Sequence, residues 1–168
     1  MKFHLEDCSH IWYEMIQEAE NSILIVTPYF DSLLADYLAD CDLPYSEIIL
    51  ITQFDHIDAS GENVYRCKLL FDLMKLGVDV RILDRVHAKV LLTDWRRAIF
   101  GSQNFTRYST DSIEISTEID LNEDYEDEYQ EIIDKIVALI GESRVPKDYE
   151  FTIATGFQLS VNSLEEED

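Results

Sequence analysis

Two runs of continuously apolar residues, Ser22-Ile-Leu-Ile-Val-Thr27 and Glu47-Ile-Ile-Leu-Ile-Thr52, constrain this chain more than any other feature. Neither alternates apolar with polar, so neither suits a sheet with one wet face; each reads as a strand covered on both sides. Pro28 ends the first run. Covering both faces takes helices, and the flanking segments supply them. Ile11 to Ala19 places Ile11, Met15, Ile16 and Ala19 at helical spacing, with Asp7 or Ser9 as N-cap and Asn21 as a stop. Asp31 or Ser32 caps a short helix through Leu38. Ser60, Gly61 and Glu62 start a third helix, whose stripe includes Val64, Cys67, Leu70, Phe71 and Met74 and which Gly77 ends.

Further strands are expected at Val78 to Leu83 and Val86 to Thr93, the second joined through Asp94-Trp95-Arg96-Arg97 to Ala98-Ile99-Phe100 as a hairpin. Ile113 to Leu121 alternates, with Glu114, Ser116, Glu118 and Asp120 on one side, and is read as one more strand. Asn122 or Asp124 then opens a helix that runs to Ile140 and stops at Gly141. The expected fold is α/β: a layered α/β/α sandwich whose hairpin makes the central sheet mixed. Residues 1–158 are read as one domain, with an edge strand within Tyr149 to Val161, and 159–168 as an acidic, disordered tail. No internal repeat is present.

At 168 residues and 46% hydrophobic content, the chain is of single-domain size with enough apolar residues for a core. It has no apolar run of membrane-spanning length and no secretory pattern at Met1 to Asp7, so a soluble cytoplasmic protein with no membrane partner is expected. Cys8, Cys41 and Cys67 form no CxxC pair, and neither a metal nor a cofactor is expected.

The formal net charge of −22 opposes polyanions. Its distribution is uneven: Arg81 to Arg107 holds six Lys or Arg against Asp84 and Asp94, a window of +4 in a chain otherwise at −26. Acidity concentrates at Glu114 to Glu131 and in the terminal Glu165 to Asp168.

Inside the basic window stands His87-Ala-Lys89-Val-Leu-Leu-Thr-Asp94, followed by Gly101-Ser102-Gln103-Asn104. On a strand, His87 and Lys89 would share a face, which co-locates a nucleophile and a cation. Gly101 would allow a sharp turn, and Ser102 and Asn104 would add polar groups at the same spot. Phosphoryl transfer uses such a set: a nucleophile, donors to the equatorial oxygens, and an acid for the leaving oxygen.

The pattern HxKxxxxD followed by GSxN resembles the phospholipase D superfamily, and the likeness extends from Ile23-Leu-Ile-Val-Thr-Pro-Tyr-Phe30 through Leu76 to Leu83 and on to about Ile140. The resemblance implies that His87 attacks phosphorus to form a phosphohistidine while Lys89 and Asn104 hold the phosphate. It also implies a carboxylate that orients the imidazole, with Glu114 the first choice and Glu118 the alternative. Asp94 would hold the turn. Arg96, Arg97 and Arg107 are candidates for phosphate-backbone contacts, and Tyr29, at a strand's carboxyl end, is a candidate substrate contact.

Family chemistry uses two histidines, and this chain has one such motif, which implies a homodimer sharing one active site. Compact single-motif members resemble nucleases more than lipases. The expected activity is therefore a metal-independent endonuclease on DNA, and also on RNA, with a basic partner protein or delivery domain to offset the acidic field. Two alternatives stand beside it: a phospholipid or small-molecule phosphodiesterase, and an acidic protein-interaction or nucleic-acid-mimic module on a phospholipase D-like scaffold.

Overall fold

The computed structural model describes residues 1–54 and 61–147. The two apolar runs become β2 (Ile23–Val26) and β3 (Ile48–Thr52), parallel neighbours in the middle of a seven-stranded mixed sheet. The other strands are β1 (Lys2–His4), β4 (Asp79–Ile82), β5 (Val90–Thr93), β6 (Arg97–Gly101) and β7 (Ser116–Asp120). Their spatial order is β1-β7-β6-β5-β2-β3-β4, with β4 parallel to β3 and β5, β6, β7 and β1 each antiparallel to the preceding neighbour.

Every residue of β2 is buried because both faces are covered. Ile23 and Ile25 face a core built with α1 (Ser9–Glu18), α2 (Ser32–Ala39) and α3 (Gly61–Leu76). Leu24 and Val26 face a second core built with α4 (Asp127–Glu142), through Tyr129, Ile133 and Ile136. The layered α/β/α sandwich is therefore realised, with three helices on one face and one on the other among the described residues. Asp31 caps α2 by accepting the Leu33 N–H at 2.9 Å, and Gly77 leaves α3 at φ +106°.

Three sequence expectations are corrected. The strand expected from Val86 begins at Val90, so His87 and Lys89 precede the ladder. The cause is topological: residues 83–89 must cross from the edge strand β4, past β3 and β2, to reach β5. The strand expected from Ile113 begins at Ser116, because its partner β6 ends at Gly101, which pairs with Ser116. The last helix is capped at Glu126 rather than Asn122 or Asp124, which lie in a turn tied to Asp120. The expected edge strand within 149–161, the domain end at 158 and the acidic tail 159–168 lie outside the described residues.

Candidate active site

Antiparallel pairing of β2 with β5 puts Val26 beside Val90, and β5 in turn puts Val90 beside Phe100. The carboxyl ends of the parallel strands, the start of β5, the end of β6 and the start of β7 therefore meet at one end of the sheet. Crevices of this kind, outside the carboxyl ends of α/β strands, are where ligands gather.

His87 reaches this end on the crossing loop and is exposed, whereas Lys89 is 8% exposed. The Lys89 ammonium donates to the His87 carbonyl at 2.8 Å and lies 3.4 and 3.3 Å from its Nδ1 and Nε2. The two groups are thus brought together, by the bend of the loop rather than by a shared strand face. Burial lowers the Lys89 pKa from its ordinary value, and the negative charge of Glu114 opposes that shift.

Gly101 has a steric role that its motif position does not announce. A Cβ there would stand 2.0 Å from the Ile115 carbonyl oxygen and 2.7 Å from the Ser116 Cα. Only a residue without a side chain lets the two loops touch, so close approach rather than a turn is what this glycine serves. The contact is stitched by the Ser102 N–H to the Ile115 carbonyl at 2.9 Å and by the Ile115 N–H to Ser102 Oγ at 3.1 Å. Ser102 Oγ in turn donates a short hydrogen bond to Glu114 Oε2.

Glu114 and Glu118 do not share a strand face. Glu114 sits ahead of β7, at the site, held by Ser102. Glu118 is buried on β7, where it accepts from Arg97 at 2.9 and 3.1 Å and lies 3.2 Å from His4 Nε2. Asn104 is half-buried beside the same loop, and its Oδ1 is buried with no hydrogen-bond partner among the described residues.

Arg96 and Arg97 lie elsewhere. Arg97 is four residues along β6 from Gly101, roughly 13 Å at ordinary strand rise. Arg96 pairs with Asp120 at 2.7 Å, and Arg97 with Glu14 at 3.0 Å, Glu18 at 3.1 Å and Glu118. Neither is placed to touch a phosphate at His87. Arg107 follows the Asn104 loop at the correct end, but its guanidinium is in a short ion pair with Asp36. Asp94 lies in the hairpin turn at φ +53° and accepts the backbone N–H of Glu20, Asn21 and Ser22 at 3.1, 2.7 and 3.1 Å. Tyr29 is 41% exposed at the site end.

Gln103 escaped the sequence reading. It is buried, accepts the Cys8 N–H at 2.8 Å and donates to Asp7 Oδ1 at 2.6 Å, tying the motif loop to the start of α1. Burial alone would raise the Asp7 pKa, but donors from Gln103 and Ser9 outweigh it and hold the carboxyl below its ordinary value. Alternation was the available signal: between outward Ser102 and Asn104, a polar residue must point inward and find partners.

Among the described residues, no group of three or more His, Cys, Asp or Glu side chains is placed to hold a metal ion, and no helix is long and apolar enough to cross a membrane. His87 is the described histidine at the site; His4 pairs with Glu118, and His10 is exposed on α1.

Solved structures share this fold. NucT from Helicobacter pylori superposes with a TM-score of 0.63 at 13% identity, over 83% of this chain and 91% of that one. Nuc from Salmonella typhimurium, a phospholipase D family member, gives 0.59 at 14%, over 85% and 96%. Phosphatidylserine synthase from Haemophilus influenzae gives 0.64 at 16%, over 98% of this chain but 44% of that longer one. No curated protein matches the chain. The family model described as "Cardiolipin synthase, PLD-like domain" matches residues 13–137, which hold strands β2 to β7 and every residue of the HxKxxxxD and GSxN motifs. With its motif, mixed sheet and site in agreement, the chain belongs to the phospholipase D superfamily, in that cardiolipin synthase-type PLD-like family.

Proposed function

We propose that the protein is a metal-independent phosphodiesterase, an endonuclease on DNA and also on RNA, whose active site is shared by two copies of the chain. The observation that carries this is the convergence of His87, Lys89, Ser102, Asn104 and Glu114 at one end of the sheet, with Lys89 directly against the imidazole.

The His87 imidazole attacks phosphorus, so that a P–N bond forms as the P–O bond to the leaving group breaks. Lys89 and the Asn104 amide neutralise and orient the non-bridging oxygens. The leaving oxygen takes a proton from His87 of the second copy, which then accepts a proton from the water that hydrolyses the phosphohistidine. Glu114 orients the nucleophilic ring from its place beside Ser102. One described site histidine per chain is what makes a second copy necessary. Compactness supports a nuclease over a lipase: the chain aligns with 91% and 96% of NucT and Nuc but with 44% of the longer phosphatidylserine synthase.

A second reading has one observation in its favour. On the α4 face, an open groove of about 420 Å³ lined by Ala88, Val90, Phe100, Ile132, Ile136 and Leu139 abuts Lys89. Its lining is aliphatic enough for an acyl chain, which supports a phospholipid phosphodiesterase. Val90 and Phe100 in its lining face the α4 core, opposite to Leu91 and Ile99, and His87 is not among the lining residues.

Activity in EDTA on plasmid, RNA, phospholipid and a chromogenic phosphodiester separates these readings. Wild type should cleave nucleic acid, weakly and with strong salt dependence given the −22 charge, and His87→Ala should lose on the order of 10³-fold or more. With subunit exchange shown, excess His87→Ala should depress activity per wild-type chain; no depression would rule out the shared site. Cleavage of none of the four by a verified dimer would leave the acidic interaction module as the standing alternative.

A further inference from the structure

The segment after β2 carries an aromatic side chain that the mechanism above does not use. Thr27 Oγ1 donates to the Tyr29 carbonyl at 2.7 Å, and Phe30 is buried in the core at 4% exposure. Phe30 also forms a parallel bridge with Phe105, reinforced by the Asp31 N–H to the Phe105 carbonyl at 3.3 Å. Phe105 is itself 2% exposed and stacks on Trp12 at 4.3 Å.

Two consequences follow from this bridge. Tyr29 and Asn104, the residues that precede Phe30 and Phe105, are thereby brought onto neighbouring backbone segments. Since both phenylalanines point into the core, alternation sends Tyr29 and Asn104 the other way, toward the site. The Tyr29 ring is 41% exposed, and Arg66 of α3, itself 7% exposed, sets its guanidinium carbon 5.1 Å from the ring centroid. A fixed backbone, a cation over the ring and a remaining open surface make a rigid aromatic platform next to a phosphate-binding amide.

We propose that Tyr29, backed by Arg66, is a stacking platform for an unpaired nucleobase one sugar away from the phosphate held at Asn104. The assignment rests on the nucleic-acid reading above and narrows it to strands whose bases are free to leave the stack. A base in a duplex has both faces covered, so it gains nothing from the ring, whereas base-aromatic stacking is worth about 1–3 kcal/mol per base on a single strand. The guanidinium withdraws electron density from the ring on one side, which favours stacking of an electron-rich base. A phosphodiester with alkyl substituents has no group to fill the platform.

The test compares wild type, Tyr29→Ala and Tyr29→Phe on a single-stranded oligonucleotide and on a strand of the same length with abasic sites flanking the scissile phosphate, all in EDTA. Wild type should prefer the intact strand. Tyr29→Ala should reduce that preference about 10-fold or more, chiefly through KM, and Tyr29→Phe should recover most of it. If the intact-to-abasic ratio is the same in Tyr29→Ala as in wild type, the platform is wrong while the nuclease stands. If wild type cleaves neither strand, the nucleic-acid reading fails and the platform falls with it. Thermal unfolding of Tyr29→Ala accompanies the assay, so that a ratio taken on folded protein decides the matter.

Discussion

The β5–β6 hairpin has two ends of opposite character. At its turn end, charges of both signs are matched: Arg96 with Asp120, Arg97 with Glu118, Glu14 and Glu18, and Asp94 with three backbone N–H groups. At its open end, about four residues away, the Lys89 ammonium is buried against an imidazole and a carbonyl, and no carboxylate among the described residues is in ion-pair contact with it. The same hairpin thus has a saturated electrostatic network at one end and an unsaturated one at the other. Saturated charges hold elements together; a cation left without a counter-ion is poised for an anion that comes and goes.

If the open end is not held by charge pairs, something else must hold it, and the contact of Gly101 with Ile115 is the candidate. Gly101→Ala would drive a Cβ into backbone at 2.0 Å, with no flexible side chain to yield. The expected cost is about 3 kcal/mol or more, the upper range for overpacking, together with lost activity as the Ser102–Glu114 pair is displaced. Chemical denaturation measures it. A cost below about 1 kcal/mol would mean that the 101 and 115 backbones slide apart easily, and the open end would have no rigid frame.

At the turn end the expectation reverses: stability falls while chemistry survives. Arg97→Met leaves Glu118, with its side chain 7% exposed, without its guanidinium partner and lacking the bonds at 2.9 and 3.1 Å. Roughly 2–3 kcal/mol should be lost, somewhat less than for a fully buried pair because the Arg97 side chain keeps 15% exposure. Turnover per folded chain should change by less than about 3-fold, since the site is some 13 Å away. A large drop in turnover with intact folding would restore Arg97 to the list of substrate contacts and dissolve the contrast between the two ends.

The elements and motif residues that frame this contrast were legible in the sequence; the contrast between the two ends was not, for a physical cause. Periodicity located β2, β3, α1, α2 and α3, and the Asp31 cap fixed the start of α2, because a strand buried on both faces and a helix with one apolar stripe leave distinct patterns; the N-cap of α1 is Cys8 rather than the expected Asp7 or Ser9. The motif named His87, Lys89, Ser102 and Asn104. What sequence spacing could not do is assign ends. Arg96 and Arg97 lie in the same basic window as Lys89, yet a hairpin turn separates them by the length of a strand. Nor could it separate Glu114 from Glu118, since the alternating pattern continues across the point where β6 runs out at Gly101 and the ladder stops. Lys2–His4 was missed as a strand altogether: three residues pairing at an edge, with Phe3 72% exposed, carry no pattern of burial.

The finest expected effect concerns Lys89 itself. Burial disfavours its charged form and lowers its pKa, so around the folded-state value the unfolded chain binds more protons than the native one. Stability therefore carries a penalty below the depressed pKa, and the penalty is relieved as pH rises toward the ordinary value of 10.5. Lys89→Met removes the charge and keeps the buried stem. At neutral pH it should abolish turnover yet stabilise the fold by up to about 1 kcal/mol, the usual direction when a functional strain is relieved. That gain should hold below the depressed folded-state pKa and shrink as pH rises from there toward 10.5. Were Lys89→Met instead to destabilise the protein at neutral pH as Arg97→Met does, the ammonium would be a structural tie to the His87 carbonyl, and the open end would be built like the turn end after all.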